Sequence, residues 1–164
     1  MPNTLTKARP EESRYYYSFV SANFYNSSAT AAVMLPLNGY TLEQLSPGTS
    51  GTEYYGLIAP HDGILVNVKM RSEQQLRDSI IFELMTSGDG TELPTTVTGT
   101  LTRVWSGLSR LNANTYDTAD FTGSLDSGTN TVTKGNIISI RMTMTNSAVN
   151  DCLIMTTWRY DVTT

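Results

Sequence analysis

Chemistry in this chain would have to pass through very few residues. The 164-residue sequence holds one histidine, His61, and one cysteine, Cys152. His61 stands beside Asp62 in the stretch YYGLIAPHDGILVNVKM. A His–Asp pair is the arrangement of a general base and the carboxylate that orients it. The base of a nucleophilic triad must titrate, so any triad here would run through His61. Two features argue against one. Adjacent side chains on an extended chain point to opposite faces, so sequence neighbours do not bond as triad members do. Pro60 and Gly63 flank the pair and favour a turn, in which Asp62 bonds its own backbone. The sequence therefore predicts a turn feeding a strand.

Other chemistries find less support. One histidine and one cysteine far apart make no zinc pattern. Hard cations take loop carboxylates, and Asp89, Glu92, Asp117 and Asp120 lie in the stretches SGDGTE and YDTAD. Their spacing is not that of an EF-hand, and aspartate beside glycine is ordinary turn composition. Neither glycine pattern that cradles phosphate occurs. Paired carboxylates for glycoside hydrolysis meet only in the fold, and nothing in the sequence selects a pair. The expectation is a protein that is not an enzyme and carries no cofactor and no metal.

The elements that would position these residues are strands. Threonine and serine make up roughly a quarter of the chain, which suits β-rich surfaces. The charged fraction is 16 % and the net charge −4, with Lys and Arg scattered singly, so no nucleic-acid surface is expected. A lone cysteine excludes an intrachain disulfide and fits a reducing cytoplasm, with Cys152 a small buried hydrophobe. The opening MPNTLTKARPEESR lacks an apolar core of the secretory kind, and no segment is long and apolar enough to span a membrane. Residues 1–14 read as an extended polar arm and residues 15–164 as one domain.

Within the domain, YYYSFVSANF, TAAVMLPLNG, ILVNVKM, SIIFELMT, TTVTGTLTRVW, NTYDTADFTGSL, NIISIRMTMTN and CLIMTTWRYDV are strand candidates. Ile64, Val66, Val68 and Met70 alternate with Leu65, Asn67, Lys69 and Arg71, which predicts one buried face. Ile138, Ile140, Met142 and Met144 alternate in the same way with polar residues. Cys152, Ile154, Trp158 and Tyr160 share a face, with Thr156 between them. A turn is expected at Asn38-Gly39, TLEQLSPGTSGTE reads as a loop that follows a short turn of helix, and SGLSRLNA is otherwise the one stretch that fits a helical turn. About eight strands without a sustained helical period predict an all-β fold, an antiparallel jelly-roll β-sandwich.

Aromatic residues recur inside these strands, where they fill cores and interfaces or, on a surface, form a glycan platform. In the YYY triplet, Tyr15 and Tyr17 take one face and Tyr16 the other. A strand apolar on both faces is covered on both sides, by a sheet and by a partner, so an oligomer is expected.

These residues carry a resemblance. SGTEYYGLIAPHDGILVNVKM looks like the stretch leading into the central strand of complement-type and tumour-necrosis-factor-type jelly rolls. TKGNIISIRMTMT is similar to their late Gly-Asp-x-Val strand, with Asn136 where Asp is usual. The chain more closely resembles structural proteins of tailed bacteriophages of the marine and cyanophage type. The matching pieces are Ala59-Pro60-His61-Asp62-Gly63, Phe121-Thr122-Gly123, Gly135-Asn136-Ile137-Ile138 and Trp158-Arg159-Tyr160-Asp161, within residues 15 to 161.

The resemblance implies a homotrimeric capsid decoration (cement) protein, bound to the major capsid protein on the exterior of the virion and assembled in the host cytoplasm. Leu5, Lys7, Arg9 and Arg14 of the arm are then candidates for shell contact. Tyr15, Tyr17, Phe19, Tyr54 and Trp158 are candidates for the trimer interface. A receptor- or glycan-binding head of a tail fibre or other tail component is the alternative. It would use the loops around SGDGTE and SGLSRLNANTYDTAD. A glycan-active enzyme is a third and weaker possibility.

Overall fold

The computed structural model describes residues 14–26, 32–37, 44–45, 56–73, 78–88, 94–105, 116–144 and 150–162. Twelve strands and no helix lie among them. They are β1 (Tyr15–Asn26), β2 (Ala32–Met34), β3 (Gln44–Leu45), β4 (Leu57–Ile58), β5 (Gly63–Ser72) and β6 (Asp78–Ser87). After these come β7 (Thr96–Trp105), β8 (Tyr116–Asp120), β9 (Ser127–Gly128), β10 (Thr131–Val132), β11 (Ile137–Met144) and β12 (Asn150–Asp161). Of the arm only Arg14 lies within the described residues; Asn38-Gly39 and SGLSRLNA lie outside them. Gln44 and Leu45, in the stretch that suggested a helical turn, are strand.

Every pairing is antiparallel, and the strands form two sheets. The first runs β1–β12–β5, with β8 and β10 sharing the far side of β5. The second runs β3–β2–β11–β6–β7–β9, with β4 beside β2 on the same edge of β11. The two inner faces enclose one hydrophobic core, as in a β-sandwich.

Alternation builds that core. Ile138, Ile140, Met142 and Met144 of β11 point inward, as do Cys152, Ile154, Thr156, Trp158 and Tyr160 of β12. Ile80, Phe82 and Leu84 of β6 and Ala22 and Phe24 of β1 complete the layer. Thr156 is polar yet fully buried because its hydroxyl is occupied. It accepts the Trp158 indole N–H at 2.9 Å and donates to the Val20 carbonyl at 3.3 Å. The hydroxyl thereby fixes the buried indole and ties β12 to β1.

Strand β5 departs from the simple period-two expectation. Its buried residues are Leu65, Val68, Met70 and Ser72, so Ile64 and Val66 do not share the face of Val68 and Met70. The cause is a β-bulge. Thr157 pairs with Asn67 and Trp158 with Leu65, which leaves Val66 as an extra residue. Its carbonyl accepts the Phe121 N–H at 2.9 Å instead of completing the ladder. One inserted residue exchanges the two faces of the strand, which periodicity cannot anticipate.

The outer side of the second sheet is also partly covered. Met34 and Met85 form a second small buried cluster, and Ser139, expected on the polar face of β11, is fully buried. Further along the same face Arg141 clasps Glu83 with two nitrogens, one at 2.9 Å from Oε1. This directly opposed pair spans β11 and β6. Between the sheets, Arg103 of β7 reaches Asp117 of β8 at 3.0 Å and closes the sandwich edge beside Met70 and Phe82.

Candidate functional site

The stretch Pro60-His61-Asp62 is a tight bend before β5. The Asp62 carboxylate accepts the Lys134 N–H at 2.8 Å, and its carbonyl accepts the Asp161 N–H at 2.8 Å. Asp62 therefore bonds distant backbone, where a local turn bond was expected. Ala59 exchanges two further bonds with the turn at Gly135, whose φ of +84° suits the third position of a type II turn. The His61 ring meets Tyr16 edge-on, with centroids 5.8 Å apart. Tyr16 in turn lies 5.2 Å from Tyr160. Burial, with a smaller contribution from the charge of Tyr16, pushes the Tyr160 hydroxyl up to about 12. The bend is thus a clamp that joins β5, β12 and the β10–β11 turn, and its carboxylate is committed to backbone.

The candidate metal-binding acids do not converge. Asp117 takes the Arg103 guanidinium through both oxygens and caps the Thr118 N–H at 2.7 Å. Asp120 accepts the Thr122 hydroxyl at 2.7 Å and its N–H at 2.9 Å. Those bonds hold the Asp120 carboxyl below its ordinary value, the side-chain bond contributing most. Asp89 and Glu92 lie outside the described residues. Among the described residues no three His, Cys, Asp or Glu side chains gather as a metal site.

What the fold does assemble is an apolar outer face on the first sheet. Tyr15, Tyr17 and Phe19 alternate along β1 and are 49 %, 55 % and 63 % exposed. The Arg159 guanidinium lies 4.7 Å over the Tyr15 ring, a cation–π contact that covers one end of the row. Beyond Phe19 the register places Ser21 opposite Met155 and Asn23 opposite Leu153. Leu153 and Met155 then form the floor of a groove of about 280 Å³, walled by Tyr116, Lys69 and Arg71. Tyr116 is 71 % exposed.

Row and groove make one diagonal belt across β1, β12 and β8, apolar except where β5 crosses it with Lys69 and Arg71. Its four aromatics leave roughly 400–600 Å² of ring surface in water, scaling their exposures by the size of an aromatic side chain. That is about the largest apolar patch a monomer ordinarily shows, and over half of one partner's share of a standard interface.

Of the interface candidates, Tyr15, Tyr17 and Phe19 therefore stand on one open face. Trp158 does not: it is 0 % exposed, at the centre of the sandwich, and presents no surface to a partner. Its side chain follows the inward parity of β12, set by Ile154 and Tyr160. Tyr54, Leu5, Lys7 and Arg9 lie outside the described residues. Arg14 is exposed, and its carbonyl accepts the Val162 N–H at 2.9 Å. Tyr116, Leu153 and Met155 join the belt without having been singled out. The signal for two of them is in the sequence: CLIM is apolar at both parities, as YYY is. No family model, no curated protein and no solved structure matches this chain.

Proposed function

We propose that this protein is a non-enzymatic, self-associating binding module, a trimeric jelly roll that decorates the capsid of a tailed phage. The observation that carries the self-association is the belt of Tyr15, Tyr17, Phe19, Met155, Leu153 and Tyr116 on the outer face of the first sheet. An apolar patch of that size marks an interaction surface.

The strand order supports the jelly-roll reading. Taking the eight strands of three or more residues, first pairs with last (β1–β12) and second with seventh (β2–β11). Third pairs with sixth (β5–β8) and fourth with fifth (β6–β7). That order is the one expected of a long hairpin rolled into two sheets, the double Greek key of a jelly roll. The phage-capsid assignment rests on the motif resemblance, and the bound shell subunit would be the major capsid protein.

Sedimentation of the full chain tests the association. A trimer has three times the 18.0 kDa chain mass. Replacing Tyr17 and Phe19 by serine should abolish the three-fold association while the chain stays folded. An unchanged mass would remove the belt from the interface. For the capsid assignment, full-length protein and a form lacking residues 1–14 are incubated with empty phage shells. Equal binding by both would exclude a role for the arm, and no binding by either would exclude decoration.

A further inference from the structure

The free edge of β1 points to a second self-contact, distinct from the apolar face. Strand β1 ends its sheet, and among the described residues nothing pairs with its outer side. Sheet edges are templates for further strands, and proteins guard them with charge, proline, bulges or brevity. The other described edges follow that rule. Strands β3, β9 and β10 are two residues long. Strand β8 carries Asp117 and Asp120. On β7 the Asp126 carboxylate accepts the edge N–H of Thr102 at 2.6 Å. By contrast, β1 has twelve residues, YYYSFVSANFYN, with no charge and no proline. Its register with β12 runs from Tyr15–Asp161 to Asn26–Asn150 without a bulge.

The parity of that edge follows from one bond. Val162 donates to the Arg14 carbonyl, so Arg14 and the even residues of β1 turn their backbone groups toward β12. Acceptance of the Thr156 hydroxyl by the Val20 carbonyl has the same parity. Tyr15, Tyr17, Phe19, Ser21 and Asn23 therefore aim their N–H and C=O groups out of the sheet. The inward side chains Tyr16, Ser18 and Val20 remain only half-buried, as though one more strand were due beside them.

We infer that this edge pairs with the same edge of a second copy, β1 against β1, antiparallel and two-fold. A chain of net charge −4 repels its copies elsewhere, but this strand brings no like charges together. Pairing centred on Phe19 sets Tyr17 opposite the copy's Ser21 and Tyr15 opposite the copy's Asn23, each ring beside a small polar residue. About ten backbone hydrogen bonds form, two for each of five residue pairs. The contact is isologous, so it doubles whatever assembly the apolar face makes. It goes beyond the trimer reading and does not depend on it.

Ser21→Pro is the discriminating variant. Position 21 is exposed, lies outside the apolar belt, and its N–H is not used by β12. Proline is tolerated at such an edge position and removes the donor that an added strand needs. Sedimentation of the full chain is expected to give an even multiple of 18.0 kDa, and Ser21→Pro half of it, with Ser21→Ala like the wild type. Asn23→Pro, which removes the donor facing the copy's Tyr15 at a second exposed position, should halve the mass in the same way. If both variants keep the wild-type mass, or if the wild type is a monomer or a lone trimer, the edge pairing is refuted. A trimer unaffected by Ser21→Pro preserves the face reading alone. A dimer halved by it preserves the edge contact alone.

Discussion

Gly63 offers the most direct test of how β5 and β12 are held. A Cβ added there would lie 2.4 Å from the Arg159 carbonyl oxygen, 2.8 Å from the Tyr160 ring and 3.0 Å from the Tyr160 Cα. A relaxed carbon–oxygen contact is about 3.3 Å, so the β12 backbone must withdraw by roughly 1 Å. That movement opens the Gly63–Tyr160 pair and the neighbouring bond from Asp161 to the Asp62 carbonyl. Overpacking costs about 1–3 kcal/mol and a weakened hydrogen bond about 1 more, so Gly63→Ala should lose about 2–4 kcal/mol. For a chain of this size that is a fall in Tm of roughly 5–15 °C. Gly63 follows a turn, yet only Gly128 and Gly135 have a positive φ among the described glycines, so the requirement at Gly63 is close approach, not handedness. Gly123→Ala is the control, because nothing lies nearer than 4.0 Å to its added carbon. Thermal and urea unfolding of both variants decide the matter. A Gly63→Ala protein that melts with the Gly123→Ala control would refute the close-approach argument.

Four further outcomes are expected. Gly99 and Gly128 face each other across β7 and β9, with added carbons 2.1 and 2.0 Å from carbonyl oxygens, so Gly128→Ala should cost at least about 2 kcal/mol in urea titration. Tyr160 ionises near 12 in the fold and near 10 unfolded, so its stabilising effect is whole below pH 10 and is lost between pH 10 and 12; the loss, roughly 1 kcal/mol by pH 11, should shrink in Tyr160→Phe when unfolding is compared at pH 8 and pH 11. Asp120, with its lowered pKa, stabilises the fold above the ordinary carboxylate range and loses that effect as pH falls through its folded value, so Asp120→Asn should flatten the acid limb of the stability profile. Ser139→Ala should be neutral or stabilising by up to about 1 kcal/mol, since the buried hydroxyl has no hydrogen-bond partner among the described residues; a loss above that would show a hidden bond.

What the sequence disclosed was what alternation encodes. The inward rows of β11 and β12 and the split faces of β1 follow directly from residue order, because side chains on a pleated strand have period two. The bend at Pro60-His61-Asp62 was legible from its turn residues. The partners of Asp62 were not, since Lys134 and Asp161 are brought to it only by the closure of the sheets. The same holds for Arg103 and Asp117, which meet across the sandwich edge from different sheets. The bulge at Val66 was hidden because an extra residue leaves no compositional mark. Trp158 was misplaced because an aromatic side chain serves a core and an interface equally well, and only the parity of its strand separates the two. The belt was half visible: YYY announced a strand apolar on both faces, and CLIM made the same statement less loudly.

The pairing of β1 with β12 also governs how the chain comes to be folded. Tyr15 meets Asp161, so the first described strand and the last are neighbours although nearly the whole described sequence separates them. Contacts of such high order form slowly, because a long loop must close before they reward the chain. During vectorial synthesis β1 emerges first and waits without its partner until β12 has left the ribosome. Throughout that interval the longest uncharged strand among the described residues is without its ladder. Translation speed and chaperone occupancy should therefore control the yield of this fold more than its final stability does. A circular permutant that makes β12 lead directly into β1 should shorten that exposure and fold faster.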